Sequence, residues 1–125
     1  SMNPIPRRRN LRAPIKAAVK VIREDGVTQF VSDNIGMAGL YVKGGIGRGL
    51  RLGPVRLLIR LPNEDSDIEA DGDVVRFEPE RGGAFGRGVR FRNLTEDARR
   101  RIESALARFV SSDDESDSVP EHEEK

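Results

Sequence analysis

The sequence predicts a mainly β fold, in which six short antiparallel strands close into a barrel and one C-terminal helix packs on it. The first observation is a series of short segments in which apolar and polar residues alternate, with turn signals between them. The second is a single apolar stripe at helical spacing near the end of the chain. Because a small open sheet exposes two unpaired edges, strands of this number are expected to close on themselves.

The first half of the chain contains three predicted strands. Residues 15–23 alternate, and the inward positions are Ala17, Val19 and Val21. Residues 24–26 end in Asp-Gly, which is typical of a hairpin turn. Residues 27–32 and 40–43 follow as strands, with a tight segment at 33–39 between them.

The second half contains three more predicted strands. Residues 55–61 alternate cleanly, and the polar turn 62–67 separates them from a strand at 68–77. The apolar parity of that strand changes near Val74, which predicts a β-bulge there. A turn at 80–83 leads to the last strand, residues 86–92, with Val89 and Phe91 inward.

One helix is predicted to end the folded part. Thr95 is a good N-cap, and Glu96 and Asp97 place negative charge in the first turn, where the helix dipole favours it. The following apolar residues recur at helical spacing: Ala98, Ile102, Ala105, Leu106, Phe109 and Val110. Residues 111–125 are rich in serine and acids, with one apolar residue, and are expected to be disordered.

Charge divides the 125 residues into three parts. Residues 1–14 are predicted to be a flexible basic arm, 15–110 the barrel and helix, and 111–125 an acidic tail. The tail has seven acids and one base, whereas the first 110 residues have 21 bases against 14 acids. A basic body indicates an anionic partner. The tail is expected to be a solubilising segment, with competition for the arm as the alternative.

Several classes of function are not expected. The chain has no cysteine and a single histidine, His122 in the acidic tail, which argues against thiol chemistry, a serine–histidine triad and a histidine metal site. The glycine-rich residues 44–49 precede a strand, whereas a phosphate loop precedes a helix. No apolar run approaches the ~20 residues of a membrane span, so we expect a cytoplasmic protein without membrane insertion. Because the sequence has no nucleophile with a base, no metal set and no cofactor loop, we expect neither enzyme activity nor a cofactor.

Two short motifs stand about one strand pair apart. The arm contains Arg8-Arg9-Asn10-Leu11-Arg12, an RRxxR pattern. After the second predicted strand comes Asn34-Ile35-Gly36-Met37-Ala38-Gly39, close to the pattern (D/N)xSxxG. With this order of strands and final helix, the sequence from about Arg7 to Phe109 resembles the PilZ domain family of bacterial cyclic di-GMP receptors.

The resemblance implies a non-enzymatic receptor for a nucleotide second messenger. It implies that the arm closes over cyclic di-GMP while the second motif forms the floor, with these residues in contact: Arg8, Arg9, Arg12, Asn34, Gly36 and Gly39, with Arg7 as an additional candidate for a phosphate. Guanidinium groups suit such a ligand, because they pair with phosphate and meet guanine O6 and N7 in a bidentate manner. Gly36 stands where the family pattern has serine, which removes a hydroxyl worth about 1 kcal/mol.

The expected mechanism is ordering of the arm on ligand binding, followed by recognition of the changed surface by an effector protein. Two alternatives stay open. One is a ligand-independent PilZ-like module for protein interaction, which the glycine at position 36 would fit. The other is a small barrel that binds RNA or single-stranded DNA, since a basic surface with aromatic residues suits stacked bases. The aromatic positions mostly fit the barrel core, and nucleic acid is therefore not the expected partner.

Overall fold

A computed structural model of the chain describes the backbone of residues 11–46, 51–79 and 85–124. The side chains at 44–46, 85 and 111–124 lie outside this description. The predicted turn at 80–83 and residues 1–10 of the predicted arm also lie outside the described residues. Residues 11–14, assigned to the arm from the sequence, are described and lie against the barrel.

The described strands form one antiparallel sheet that closes into a barrel. They are β1 (Arg12–Ala13), β2 (Ala18–Arg23), β3 (Gly26–Gly36), β4 (Gly39–Ile46), β5 (Gly53–Arg60), β6 (Ile68–Pro79) and β7 (Phe85–Leu94), followed by the helix α1 (Glu96–Glu124). The order is β1-β3-β2-β5-β6-β7-β4, and pairing of β3 with β4 closes the ring. The six-stranded barrel with one C-terminal helix is confirmed, with the two-residue β1 added on β3.

Alternation along the strands builds the core as the sequence predicts. On β2, Val19 and Val21 are buried, and the inward face of β5 continues to Leu61 with less than a tenth of any side chain exposed. The helix contributes four buried residues to the same core: Ala98, Ile102, Ala105 and Leu106. Phe109 packs partly against it, whereas Val110 is more than a third exposed and lies outside the buried stripe.

β3 and β4 are longer than the sequence predicts. The segment expected to be a tight connection at 33–39 is mostly strand, because β3 continues to Gly36 and β4 begins at Gly39. Only Met37 and Ala38 form the turn. The second motif therefore lies on two paired strand ends, which gives its side chains fixed directions.

The predicted bulge in β6 is confirmed. The register between β6 and β7 shifts between Val74 and Arg76, and the parity of the strand changes there. Phe77 follows the bulge and remains 44% exposed, so it is not a core aromatic like Phe30. The guanidinium of Arg87 lies over both rings, 5.3 Å from the Phe77 centroid and 5.7 Å from that of Phe30.

The helix begins as predicted, and one arginine adds hydrogen bonds to its packing on the barrel. The Thr95 hydroxyl accepts a hydrogen bond from the Ala98 amide at 3.0 Å, which is an N-cap. Arg101 donates to Glu64 Oε1 at 2.6 Å and to the Ser66 carbonyl at 2.8 Å, joining the helix to the β5–β6 connection. The helix runs to Glu124, beyond the end predicted at Val110. The disorder expected for 111–125 stays a prediction.

A buried hydroxyl fixes the connection between β1 and β2. Ser32 on β3 is fully buried and is the one polar side chain in the buried set of the described residues. Its Oγ accepts from the Ala17 amide at 2.8 Å and donates to the Ile15 carbonyl at 2.7 Å. Both main-chain groups are thereby satisfied where no strand pairing reaches them. The chain entering the barrel is held against β3 by this side chain.

We expect Ser32→Ala to lower the free energy of unfolding by about 1–3 kcal/mol, because it leaves the Ala17 amide and the Ile15 carbonyl without a partner. Urea denaturation measures this change. The control is Ser104→Ala, at an exposed position of α1. A loss below about 0.5 kcal/mol for Ser32→Ala, as for an ordinary surface substitution, would contradict this role.

Candidate functional site

β1 brings the two sequence motifs into direct contact. Arg12 pairs with Gly36 and Ala13 with Ile35, so the arm motif continues onto the end of β3 as an added strand. The Arg12 Nε donates a hydrogen bond of 2.8 Å to Asn34 Oδ1, across 22 positions of the sequence. Ala13 is fully buried in the core and anchors this pairing. Arg12 and Asn34 are therefore neighbours.

Asn34 lies beside a carboxylate that is paired with two lysines. Its Nδ2 is 3.5 Å from Asp33 Oδ2, so the two ends of the amide face Arg12 and Asp33. The Asp33 carboxylate pairs with Lys16 at 3.1 Å and with Lys43 at 3.6 Å. The hydrogen bond from Lys16 is the largest cause that lowers the pKa of Asp33, and the charge of Lys43 adds to it.

Arg76 on β6 completes the surface from the opposite side. Its guanidinium lies 5.9 Å from the centre of the Tyr41 ring, and its Nε donates to Glu78 Oε2 at 2.6 Å. Gly88, its partner on β7, allows this position, because a Cβ there would come within 2.9 Å of Arg76 Nη1. Arg76 thus extends from β6 past Gly88 on β7 towards the Tyr41 ring on β4.

Two adjoining clefts share Arg12 and Arg76. The first, about 270 Å³, is open to solvent and has mostly polar walls, formed by Arg12, Asp33, Asn34, Tyr41, Lys43, Arg76 and Glu78. The second, about 210 Å³, lies over the β4–β7 pairing, with walls that include Gly39, Val75 and Arg90. Because both arginines border both clefts, the two hollows form one basic surface, which we call the arginine cleft.

The arginine cleft has an excess of positive charge at Arg12. Although the residue as a whole is exposed, partial burial of its guanidinium lowers the pKa of Arg12, and the nearby Arg76 cation lowers it further. Within the described part of the chain, no carboxylate forms an ion pair with Arg12. Arg76 is paired with Glu78, so of the two the charge left without an ion pair to a described carboxylate is that of Arg12, and the second cation beside it favours an anion there.

The two motif glycines allow close approach of main chains. A Cβ on Gly36 would lie 2.7 Å from the Leu11 carbonyl oxygen and 3.1 Å from Arg12 Cγ. A Cβ on Gly39 would fall on the Val89 carbonyl oxygen of β7. Gly39 also borders the arginine cleft, whereas Gly36 is covered by β1. A contact between Gly36 and a ligand, which the resemblance implies, is untested by this arrangement.

The structure brings together part of the predicted site. Arg12, Asn34, Gly36 and Gly39 lie at adjoining strand ends, whereas Arg7, Arg8 and Arg9 lie outside the described residues. The sequence did not predict that four further residues line the cleft: Asp33, Tyr41, Lys43 and Arg76. The bulge predicted near Val74 could have indicated the position of Arg76, because a change of parity turns the residues after it to the other face of the strand.

No group of three or more acidic, histidine or cysteine side chains in the described ranges is placed to hold a metal ion. Among the same residues, no helix is both long and apolar enough to cross a membrane.

Comparisons with known proteins agree with this fold. The family model for the PilZ domain matches residues 6–108, which is most of the chain. The comparison with curated protein sequences found no match to the chain. Among solved structures, the Bacillus subtilis inhibitor of motility MotI/DgrA is similar, with a TM-score of 0.68 and 22% identity over 78% of this chain and 48% of that one.

Two structures of YcgR from Escherichia coli are also similar. YcgR in complex with c-di-GMP has a TM-score of 0.66 and 15% identity over 90% of this chain and 50% of that one. Its isolated PilZ domain with c-di-GMP has a TM-score of 0.64 and 13% identity over 90% and 98%. The chain thus spans about half the length of MotI/DgrA and of YcgR. At these identities the likeness shows the fold.

The ion pairs of Asp33 predict a pH dependence of stability. Because folding lowers the pKa of Asp33, its contribution is present above the unfolded value of about 3.9 and is lost as the pH falls through the folded value. Asp33→Asn is expected to be less stable than the parent at pH 7, by at most about 1 kcal/mol, with a difference that closes below about pH 4.

Thermal unfolding of both proteins between about pH 3 and pH 7 measures this difference. Asp65→Asn, at an exposed loop position, is the control. A difference that stayed constant with pH would show that the ion pairs of Asp33 do not contribute.

Proposed function

The chain belongs to the PilZ domain family, and we propose that it is a receptor for cyclic di-GMP that binds the nucleotide in the arginine cleft. The observation that carries the proposal is the position of Arg12. It is hydrogen-bonded to Asn34, lies close to Arg76 and has no ion pair with a described carboxylate. A di-anionic ligand with two guanines fits the chemistry of such a site.

Each group of the cleft suits a different part of this ligand. The guanidinium groups of Arg12 and Arg76 can pair with phosphate oxygens, meet guanine O6 and N7, or stack on a base plane. The Asn34 amide has both donors and acceptors for a guanine edge. Lys43 adds positive charge at the wall of the first cleft. That YcgR was solved with c-di-GMP supports the choice of ligand.

Binding is proposed to proceed in two steps that use different parts of the arm. Arg12 is held beside Asn34 by β1, so its guanidinium is already at the wall of the arginine cleft when the anion enters. Arg8 and Arg9, with Arg7, then close over the bound nucleotide, since the ligand supplies the negative charge that offsets their mutual repulsion. The resulting surface of arm and barrel is read by an effector protein, and the receptor itself catalyses no reaction.

Calorimetric titration of cyclic di-GMP into the purified chain tests the proposal. Arg12→Ala and Arg76→Ala are each expected to weaken binding about 10–100-fold, the effect of losing a hydrogen bond to a charged group. Arg8→Ala is expected to weaken it as well. The matched control, Arg99→Ala, removes the same charge from the exposed surface of α1 and should leave the affinity within about threefold.

Cyclic di-AMP serves as the ligand control, because adenine lacks the O6 acceptor that the guanidinium groups would meet. Selective binding of cyclic di-GMP that weakens with added salt supports the receptor. Absence of heat and of spectral change up to high micromolar cyclic di-GMP would overturn it. A protein partner captured by both the parent chain and Arg12→Ala would then favour the ligand-independent module.

A further inference from the structure

Gly36 lies under the arm rather than open to the arginine cleft. Its Cα is the partner of Arg12 in the β1–β3 pairing, and the Leu11 carbonyl oxygen occupies the place beside it. A Cβ built on Gly36 would lie 2.7 Å from that oxygen, closer than packed Cβ atoms approach main-chain oxygens. The atom in the way belongs to the backbone, so relief requires movement of the arm itself.

We propose that Gly36 is the docking point of the arm: its lack of a side chain lets β1 pair closely with β3, and this pairing holds Arg12 over the cleft before ligand binds. The effect on affinity rests on the function proposed above, whereas the docking itself does not. Gly36 is therefore a positioning residue, which acts on the ligand through Arg12.

Other contacts of the arm's root make the docked position specific. Ala13 is fully buried and Leu11 packs partly against the core, so β1 has an apolar anchor on each side of Arg12. Arg12 Cγ lies 3.1 Å from the place of a Cβ on Gly36, so the aliphatic stem of Arg12 also crosses the glycine. That crossing directs the guanidinium to Asn34 Oδ1.

The consequence for affinity is one of preorganisation. A long cationic side chain loses rotamer entropy when a ligand immobilises it, and a side chain already held by the protein has less to lose. Displacing β1 would free Arg12 from Asn34. The rotamer entropy of Arg12 would then be lost when the ligand binds, which lowers the affinity. A serine at position 36, as in the family pattern, would add a hydroxyl but also the Cβ that displaces the arm.

The experiment uses the full chain with Gly36→Ala and Gly36→Ser. Nuclear magnetic resonance without ligand reports the contacts between Arg12 and Gly36 and the protection of the Arg12 Nε proton, which donates to Asn34. Calorimetry with cyclic di-GMP reports affinity. Both variants are expected to lose the Arg12–Gly36 contacts, to exchange the Nε proton at least about tenfold faster, and to bind about tenfold more weakly.

Gly26→Ala is the matched control. Gly26 lies in the β2–β3 turn with φ +142°, and a Cβ there would meet open space, so alanine strains the fold without contacting the arm. It is expected to lower the melting temperature while leaving the Arg12 Nε proton and the affinity unchanged. A general loss of stability is thereby distinguished from release of the arm.

The proposal is overturned by Gly36→Ala with intact Arg12–Gly36 contacts and a protected Nε proton, or by a released arm with the affinity of the parent. A Gly36→Ser variant that keeps the Arg12–Gly36 contacts also overturns it, since position 36 would then accept a side chain beneath β1. If the parent binds no cyclic di-GMP while both Gly36 variants release β1, the docking is supported and the receptor function alone fails.

Discussion

The architecture of the site depends on the pairing of one strand, β3, with β1, β2 and β4. Ser32 lies between the part of β3 that pairs with β2 and the part that pairs with β1. Its buried hydroxyl accepts a hydrogen bond from the Ala17 amide and donates one to the Ile15 carbonyl, both in the connection between β1 and β2. Without these two hydrogen bonds, the chain before β2 would have buried polar groups and no partner. With them, residues 11–17 lie along β3 and Arg12 is delivered to Asn34. A core interaction therefore determines the geometry of a surface site.

The charges on the barrel are organised differently on its two sides. On the outer face of β5 and in part of β7, arginines pair with acids on β6: Arg56 with Glu69 and Asp71, and Arg92 with Asp73 at 2.7 Å. These exposed pairs contribute little to stability and leave little net field. At the end of β3, Asp33 is shared by two lysines while Arg12 faces Arg76. The excess positive charge is thus concentrated where the walls are concave, which favours an anion there.

Alternation and capping made most of the fold predictable, because burial of one face imposes a period of two on a strand. The inward residues of β5, the bulge near Val74 and the cap at Thr95 are confirmed. The length of β3 was not predictable, since Asp33 and Asn34 have low strand propensity and only tertiary pairing keeps them extended. Arg76 was missed for a related reason: it joins the site across strands distant in sequence.

The most direct measurement of the central claim is a map of where cyclic di-GMP changes the amide and side-chain resonances of isotopically labelled protein. The structure predicts that the largest changes fall on Arg12, Asn34 and Arg76, the residues around the arginine cleft. The charged outer face of β5, around Arg56, should remain unchanged. Changes centred on that face, with Arg12 and Asn34 unaffected at saturating ligand, would contradict the claim that the paired arm and β3 form the binding site.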